Sequence, residues 1–79
     1  MNRVILVTGG FDPIHGGHIK YIRSAKKIDP PSPVCVGLNS DEWLIRKKGK
    51  YFMDFDERKE VVSGMKDVDV VIPFIDKDE

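Results

Sequence analysis

Three short apolar runs punctuate an otherwise polar chain: Val4–Val7, Val34–Leu38 (VCVGL) and Val68–Ile72 (VDVVI). Each is nearly continuous and rich in β-branched residues, the pattern of a strand covered on both faces in a parallel sheet. They recur at the spacing of a strand–helix–strand unit, about 30 residues. Between the first two, His18 to Ile28 predicts a helix, ended by Asp29-Pro30-Pro31-Ser32-Pro33. Those prolines cannot continue a helix and favour an extended lead into the next strand.

After the second run, Asn39-Ser40-Asp41-Glu42 supplies N-cap chemistry for a short helix through about Arg46. A basic, glycine-broken loop follows, RKKGK from Arg46 to Lys50. A second full helix is expected from near Asp54 or Asp56 to about Met65. The chain then runs through the third strand into a charged tail, Asp76 to Glu79. Right-handed crossovers set the three strands side by side with the first at one end. The expected fold is α/β: half of a doubly wound parallel sheet, with its crevice at the C-terminal end of the first strand. Nothing in this pattern covers the other side of that strand. Residues 1–79 therefore read as the N-terminal part of a single domain, or as a chain whose partner supplies the missing strands, which makes a homo-oligomer an expectation.

Composition narrows the function. The chain has 79 residues, with 13 basic and 13 acidic side chains that cancel. A neutral chain lacks the basic excess of a nucleic-acid binder. The single cysteine, Cys35, lies inside an apolar run and cannot form an internal disulfide, as expected of a small buried hydrophobe in a reducing cytosol. No apolar run approaches the length of a signal-peptide core or a membrane span, so a soluble cytoplasmic protein without membrane contact is expected.

The chemistry is concentrated in GGFDPIHGGH, Gly9 to His18, directly behind the first strand. Glycines there let the backbone turn tightly and bring N–H groups close to a ligand, and the start of the following helix adds a positive dipole end. The usual phosphate loops, G-x-G-x-x-G and G-x-x-x-x-G-K-[ST], are both missing. His15 and His18 are three positions apart, so at a helix start both project to one side. Imidazoles so placed can donate to phosphate oxygens and stabilise charge building on a leaving pyrophosphate. A two-histidine metal site, with Asp12 as the near third ligand, and a purely structural turn pair stand as alternatives. Asp12 before Pro13 is equally a turn residue or a ligand residue.

The stretch GGFDPIHGGHIKYI resembles the H-x-G-H signature of the nucleotidyltransferase superfamily, here His15-Gly16-Gly17-His18 preceded by Phe11-Asp12. NSDEWLIRKKGKYF and DERKEVVSGMKDVDVVIP are similar to the family's second-strand exit with its lysine-bearing loop and to its arginine-bearing helix. The likeness, closest to the glycerol-3-phosphate cytidylyltransferase and heptose-1-phosphate adenylyltransferase type, covers nearly the whole chain. The family's later Ser/Thr-rich segment lies past its end. The resemblance implies a Rossmann-like three-layer fold and transfer of a nucleoside monophosphate from CTP or ATP to a small phosphorylated alcohol or sugar. It implies that His15 and His18 hold the phosphates, with His18 on the leaving group, and that backbone N–H groups from Gly9, Gly10 and Phe11 cradle the nucleotide beside Asp12. Mg²⁺ is expected to arrive on the triphosphate, without a dedicated protein metal site.

Two further cations enter this expectation. On the second helix Arg58 shares a face with Val61, Val62 and Met65, so it needs either an anionic ligand or a carboxylate such as Asp41 or Asp56. Among the loop lysines, Lys48 is expected to close over the triphosphate. Asp41 is expected to cap its short helix, and Lys20, Lys26 and Lys27 to form a solvated helix face.

Overall fold

The computed structural model describes residues 3–74; the charged tail lies outside the described residues. The elements are β1 (Ile5–Gly9), α1 (Gly16–Ile28), β2 (Val34–Leu38), α2 (Asp41–Lys48), α3 (Phe55–Ser63) and β3 (Val70–Pro73). The three strands form one parallel sheet in the order β1-β2-β3, so β1 does stand at one end among the described residues.

Register explains the core. Val7 pairs with Val36, Ile5 with Val34 and Val71 with Val36. These side chains share the face on which Ile22 and Ala25 of α1 and Val62 of α3 pack. Val34, Val36, Leu38 and Val62 are fully buried, each such burial contributing about 1.5–3 kcal/mol. The expectation of buried strands holds for β2, which lies between the other two and has all five residues buried. It fails for the outer strands. Leu6, Val70 and Ile72 point to the opposite face and stay 53, 47 and 40% exposed, because α1 and α3 pack on one side only.

Element ends differ from expectation for local reasons. β1 starts later than Val4 and runs on to Gly9, because Gly9 O accepts from Asn39 N and keeps the ladder closed. α1 begins at Gly16 rather than His18, since His15 caps it. α2 takes in Lys47 and Lys48 before ending at Gly49, whose φ of +84° is the left-handed conformation that glycine adopts without strain. Arg46, Lys47 and Lys48 thus stand in a last helical turn, where cations complement the exposed carbonyl end. α3 is capped by Asp54, which accepts from Glu57 N at 2.9 Å, and stops at Ser63 where Gly64 caps it. Val61, assigned by spacing to the buried stripe, is 44% exposed. No helix among the described residues is long and apolar enough to cross a membrane.

Candidate functional site

The segment Gly10–His15 leaves the C-terminal end of β1 and turns into α1. Phe11 takes a φ of +52°, a strained value for a residue with a side chain, costing about 1–3 kcal/mol. Its ring is buried and meets the His18 ring edge-on, with centroids 4.8 Å apart. Gly10 lies close under α2: a Cβ there would fall 2.8 Å from Leu44 Cδ2 and 3.4 Å from Trp43 Cζ3. The only tryptophan of the chain therefore sits against the loop that carries the site.

His15 and His18 are brought together as the spacing requires, with rings stacked at 4.0 Å between centroids and 27° between planes. Their inner nitrogens have a second duty. His15 Nδ1 accepts from Gly17 N and His18 Nδ1 accepts from His15 N, both at 3.1 Å. This is a capping box built from imidazoles: each ring satisfies one of the orphan N–H groups at the start of α1. A nitrogen that accepts from an amide carries no proton, so each neutral ring holds its proton on Nε2. The pair thereby presents two N–H donors away from the helix. The i, i+3 spacing was the signal for this capping, readable with histidine in place of the usual Ser and Glu. Burial first, and then the neighbouring His15, hold the His18 pKa below its ordinary value.

Gly17 shows why the two positions between the histidines differ. A Cβ at Gly17 would stand 2.9 Å from His15 Cε1, whereas one at Gly16 meets nothing within 4 Å. The ring can cap the helix only if Gly17 has no side chain.

Asp12 is turned inward. Its side chain is 0% exposed; Oδ1 accepts from Met53 N at 2.8 Å and Oδ2 from Phe52 N at 2.7 Å. Lys48 Nζ donates to the Asp12 backbone carbonyl and stands 3.4 Å from Oδ2. Burial alone would raise this carboxyl's pKa; the two amides and the Lys48 ammonium outweigh it and lower it. A carboxylate so engaged does not face the imidazole pair as a third metal ligand. Among the described residues no group of three or more His, Cys, Asp or Glu could hold a metal ion.

Arg58 is fully buried, and its donors go to protein groups. Nε donates to Met53 O at 3.0 Å, one terminal nitrogen to Gly10 O at 2.9 Å and Asn39 O at 2.7 Å, and the other to Asp41 Oδ1 at 2.6 Å. Of the two partners the sequence left open, the structure shows the carboxylate. Arg58 joins the exits of β1 and β2 to the starts of α2 and α3. Asp41 is its ion-pair partner, while Ser40, accepting from Trp43 N at 3.0 Å, caps α2. Lys26 is also bound, donating to Ser32 O and Asp69 Oδ2 rather than lying wholly in solvent.

Sequence reasoning missed the Phe52 and Met53 amides and the Gly10 and Asn39 carbonyls, because backbone groups leave no residue-type signature. It also passed over the Phe52 ring, 65% exposed, with the Lys48 and Lys50 ammonium groups 5.5 and 5.6 Å from its centroid. Lys47 stands 5.8 Å from the Trp43 ring. An aromatic and cationic ledge thus borders the loop of the two histidines through the Asp12 bonds.

The bifunctional protein HldE of Actinobacillus pleuropneumoniae is 34% identical over 74 residues, which take in 91% of this chain and 15% of that protein. HldE of Shewanella denitrificans is 36% identical with the same shares. The crystal structure of the lipopolysaccharide core biosynthesis protein from Thermoplasma volcanium GSS1 superposes with a TM-score of 0.81 at 34% identity, covering 99% of this chain and 62% of that one. The chain thus spans a small part of the curated relatives and under two thirds of the solved one, and the α/β Rossmann-like fold is shared with the latter. The family model described as cytidylyltransferase-like matches residues 6–78, and the chain belongs to that family.

Proposed function

We propose that this chain carries the phosphate site of a nucleotidyltransferase that moves a nucleoside monophosphate from CTP or ATP to a small phosphorylated alcohol or sugar. An acceptor phosphate oxygen attacks the α-phosphorus; the bond from that phosphorus to the bridging oxygen breaks, and pyrophosphate leaves. The acceptor phosphate is largely ionised near neutral pH, its second pKa being about 6, so no general base is required. The work left to the protein is positioning and neutralisation of developing charge.

One observation carries this reading: two stacked imidazoles whose Nδ1 atoms are committed to the backbone, leaving two Nε2–H donors at the N-terminus of α1. Fixed donors stabilise charge without reorganising as it develops. In this reading His15 and His18 bind the phosphates, His18 on the leaving group, and the turn Gly9–Phe11 receives the nucleotide. Lys48, 37% exposed at its side chain, turns to the triphosphate. Mg²⁺ would arrive on the triphosphate and help neutralise its charge, while the Asp12 carboxylate stays engaged by its N–H donors. The reaction takes place in the cytoplasm.

A sugar phosphate is the favoured acceptor, because one similar protein is named for lipopolysaccharide core biosynthesis, and the nucleotide is left as CTP or ATP. Pyrophosphate release by the full-length protein, measured with four nucleotides and a panel of phosphorylated alcohols and sugars, tests the proposal. Turnover is expected with one of them, and His18→Asn is expected to lower it by about 10²–10³-fold. Nucleotide binding without pyrophosphate release would instead identify a nucleotide-binding remnant. Turnover untouched by His18→Asn overturns the assignment of the imidazole pair.

A further inference from the structure

Asp12 has no exposed side-chain surface. Three donors converge on it: Phe52 N, Met53 N and Lys48 Nζ. An ionised carboxylate, with lone pairs on both oxygens and no donor of its own, accepts all three. The same Met53 that donates to Asp12 accepts from Arg58 Nε through its carbonyl. Both polar groups of that residue are therefore gripped, and Arg58 is itself tied to Gly10 O and Asn39 O. The loop between α2 and α3 is riveted to the turn that carries His15.

What this loop presents is the ledge of Lys48 and Lys50 over the Phe52 ring. The ring's own backbone N–H is one of the bonds to Asp12. The position of two ammonium groups relative to two imidazoles is thus set by one carboxylate, three residues before His15 in the chain.

We propose that Asp12 is a positioning residue that sets the Lys48–Phe52 cation ledge against the His15–His18 pair, so that both grip one polyphosphate. The inference rests on the nucleotidyl-transfer reading above. Asp12 contacts no substrate; it acts through the loop it holds. Asp12→Asn keeps the volume but turns an N–H₂ group toward an amide or toward the ammonium of Lys48, so one donor meets another.

The test uses the full-length protein and two readouts. Amide exchange at Phe52 and Met53 reports the rivet, and Trp43 fluorescence titrated with inorganic tripolyphosphate, ATP and CTP, each with Mg²⁺, reports the grip. In Asp12→Asn, exchange at both amides should rise roughly tenfold or more, the effect expected from losing bonds to a charged acceptor. Exchange at Val36 and Leu38 should not change, and affinity for the phosphate ligands should fall about tenfold. Lys48→Met should cost less affinity in the Asp12→Asn background than in the wild type, because the two act through one device. Faster exchange with unchanged affinity, or unchanged exchange, overturns the proposal. Should Asp12→Asn fail to fold, Phe52→Ala removes the ledge and spares the rivet. It must then lower affinity with Met53 exchange unaltered, and unaltered affinity overturns the proposal. Binding that is lost in His18→Asn yet intact in Asp12→Asn keeps the phosphate reading and sinks this one. No binding by the wild type sinks both.

Discussion

Gly16 and Gly17 have the same side chain, yet only one of them needs to be glycine. A methyl group at Gly17 would force the His15 ring off the Gly17 amide, since the two would stand 2.9 Å apart. Gly17→Ala therefore removes an N-cap, at a cost of about 1 kcal/mol, and misdirects the outer nitrogen of His15. Gly16→Ala meets open space in the first turn of a helix and should be neutral or stabilising by up to about 1 kcal/mol. Thermal denaturation of the two variants, paired with nucleotide titration, checks this. Equal effects would mean that the histidine does not cap. The requirement for glycine at the third position of His-x-Gly-His follows here from ring contact. The opening turn adds a second local constraint, the left-handed Phe11 whose buried ring backs His18.

At the scale of the element, α1 depends on its capping histidines for its first turn and on proline for its exit. Because His18 Nδ1 accepts from His15 N, protonating that nitrogen breaks the capping box. The His18 pKa is lowered from its ordinary 6.5, by burial first and by His15 second. The unfolded chain therefore takes up this proton before the folded one does. The contribution to stability is fully present above pH 6.5 and is lost as the pH falls through the lower, folded value. An NMR titration of the His18 ring should give a midpoint below 6.5, with stability declining as the pH falls below 6.5; a midpoint above 6.5 contradicts the capped geometry. α2 and α3 are short helices held less by an apolar stripe than by their caps, Ser40 and Asp54, and by Arg58 between them.

At the scale of the whole molecule, Arg58 is the tie. Among the described residues it is the bulkiest fully buried side chain, and it ties α3 to three other stretches of chain, at Gly10, at Asn39–Asp41 and at Met53, through four hydrogen bonds. Arg58→Ala leaves three carbonyls and the Asp41 carboxylate without their partner. It should cost about 3 kcal/mol or more, discounted somewhat because Asp41 is partly exposed. Arg58→Lys should recover only part, since one ammonium cannot reach all four acceptors in the plane a guanidinium spans. Urea denaturation of both variants measures the difference, and a loss under about 1 kcal/mol in Arg58→Ala would show that the tie is dispensable. The sheet itself is closed by helices on one face only, leaving Leu6, Val70 and Ile72 partly exposed on the other.

Periodicity and residue type were enough to read three parallel strands, the helices between them and the loop of chemistry behind β1. Apolar runs, prolines and glycines act locally, so their consequences can be read from neighbours in the chain. The pairing of His15 with His18 was legible for the same reason, because three residues on a helix is a fixed distance. The partners of Arg58 and Asp12 were not. Arg58 reaches Gly10, 48 positions away, and Asp12 reaches Met53, 41 positions away. Which acceptor a buried guanidinium finds, and which amides a buried carboxylate collects, depends on where distant backbone groups come to rest. The sequence by itself determined that the Arg58 cation would have to be satisfied here, because it cannot be buried alone, and it left Asp12 as a turn or a ligand residue. Only the tertiary structure decided that protein groups satisfy both, since it alone sets the distances across the sheet.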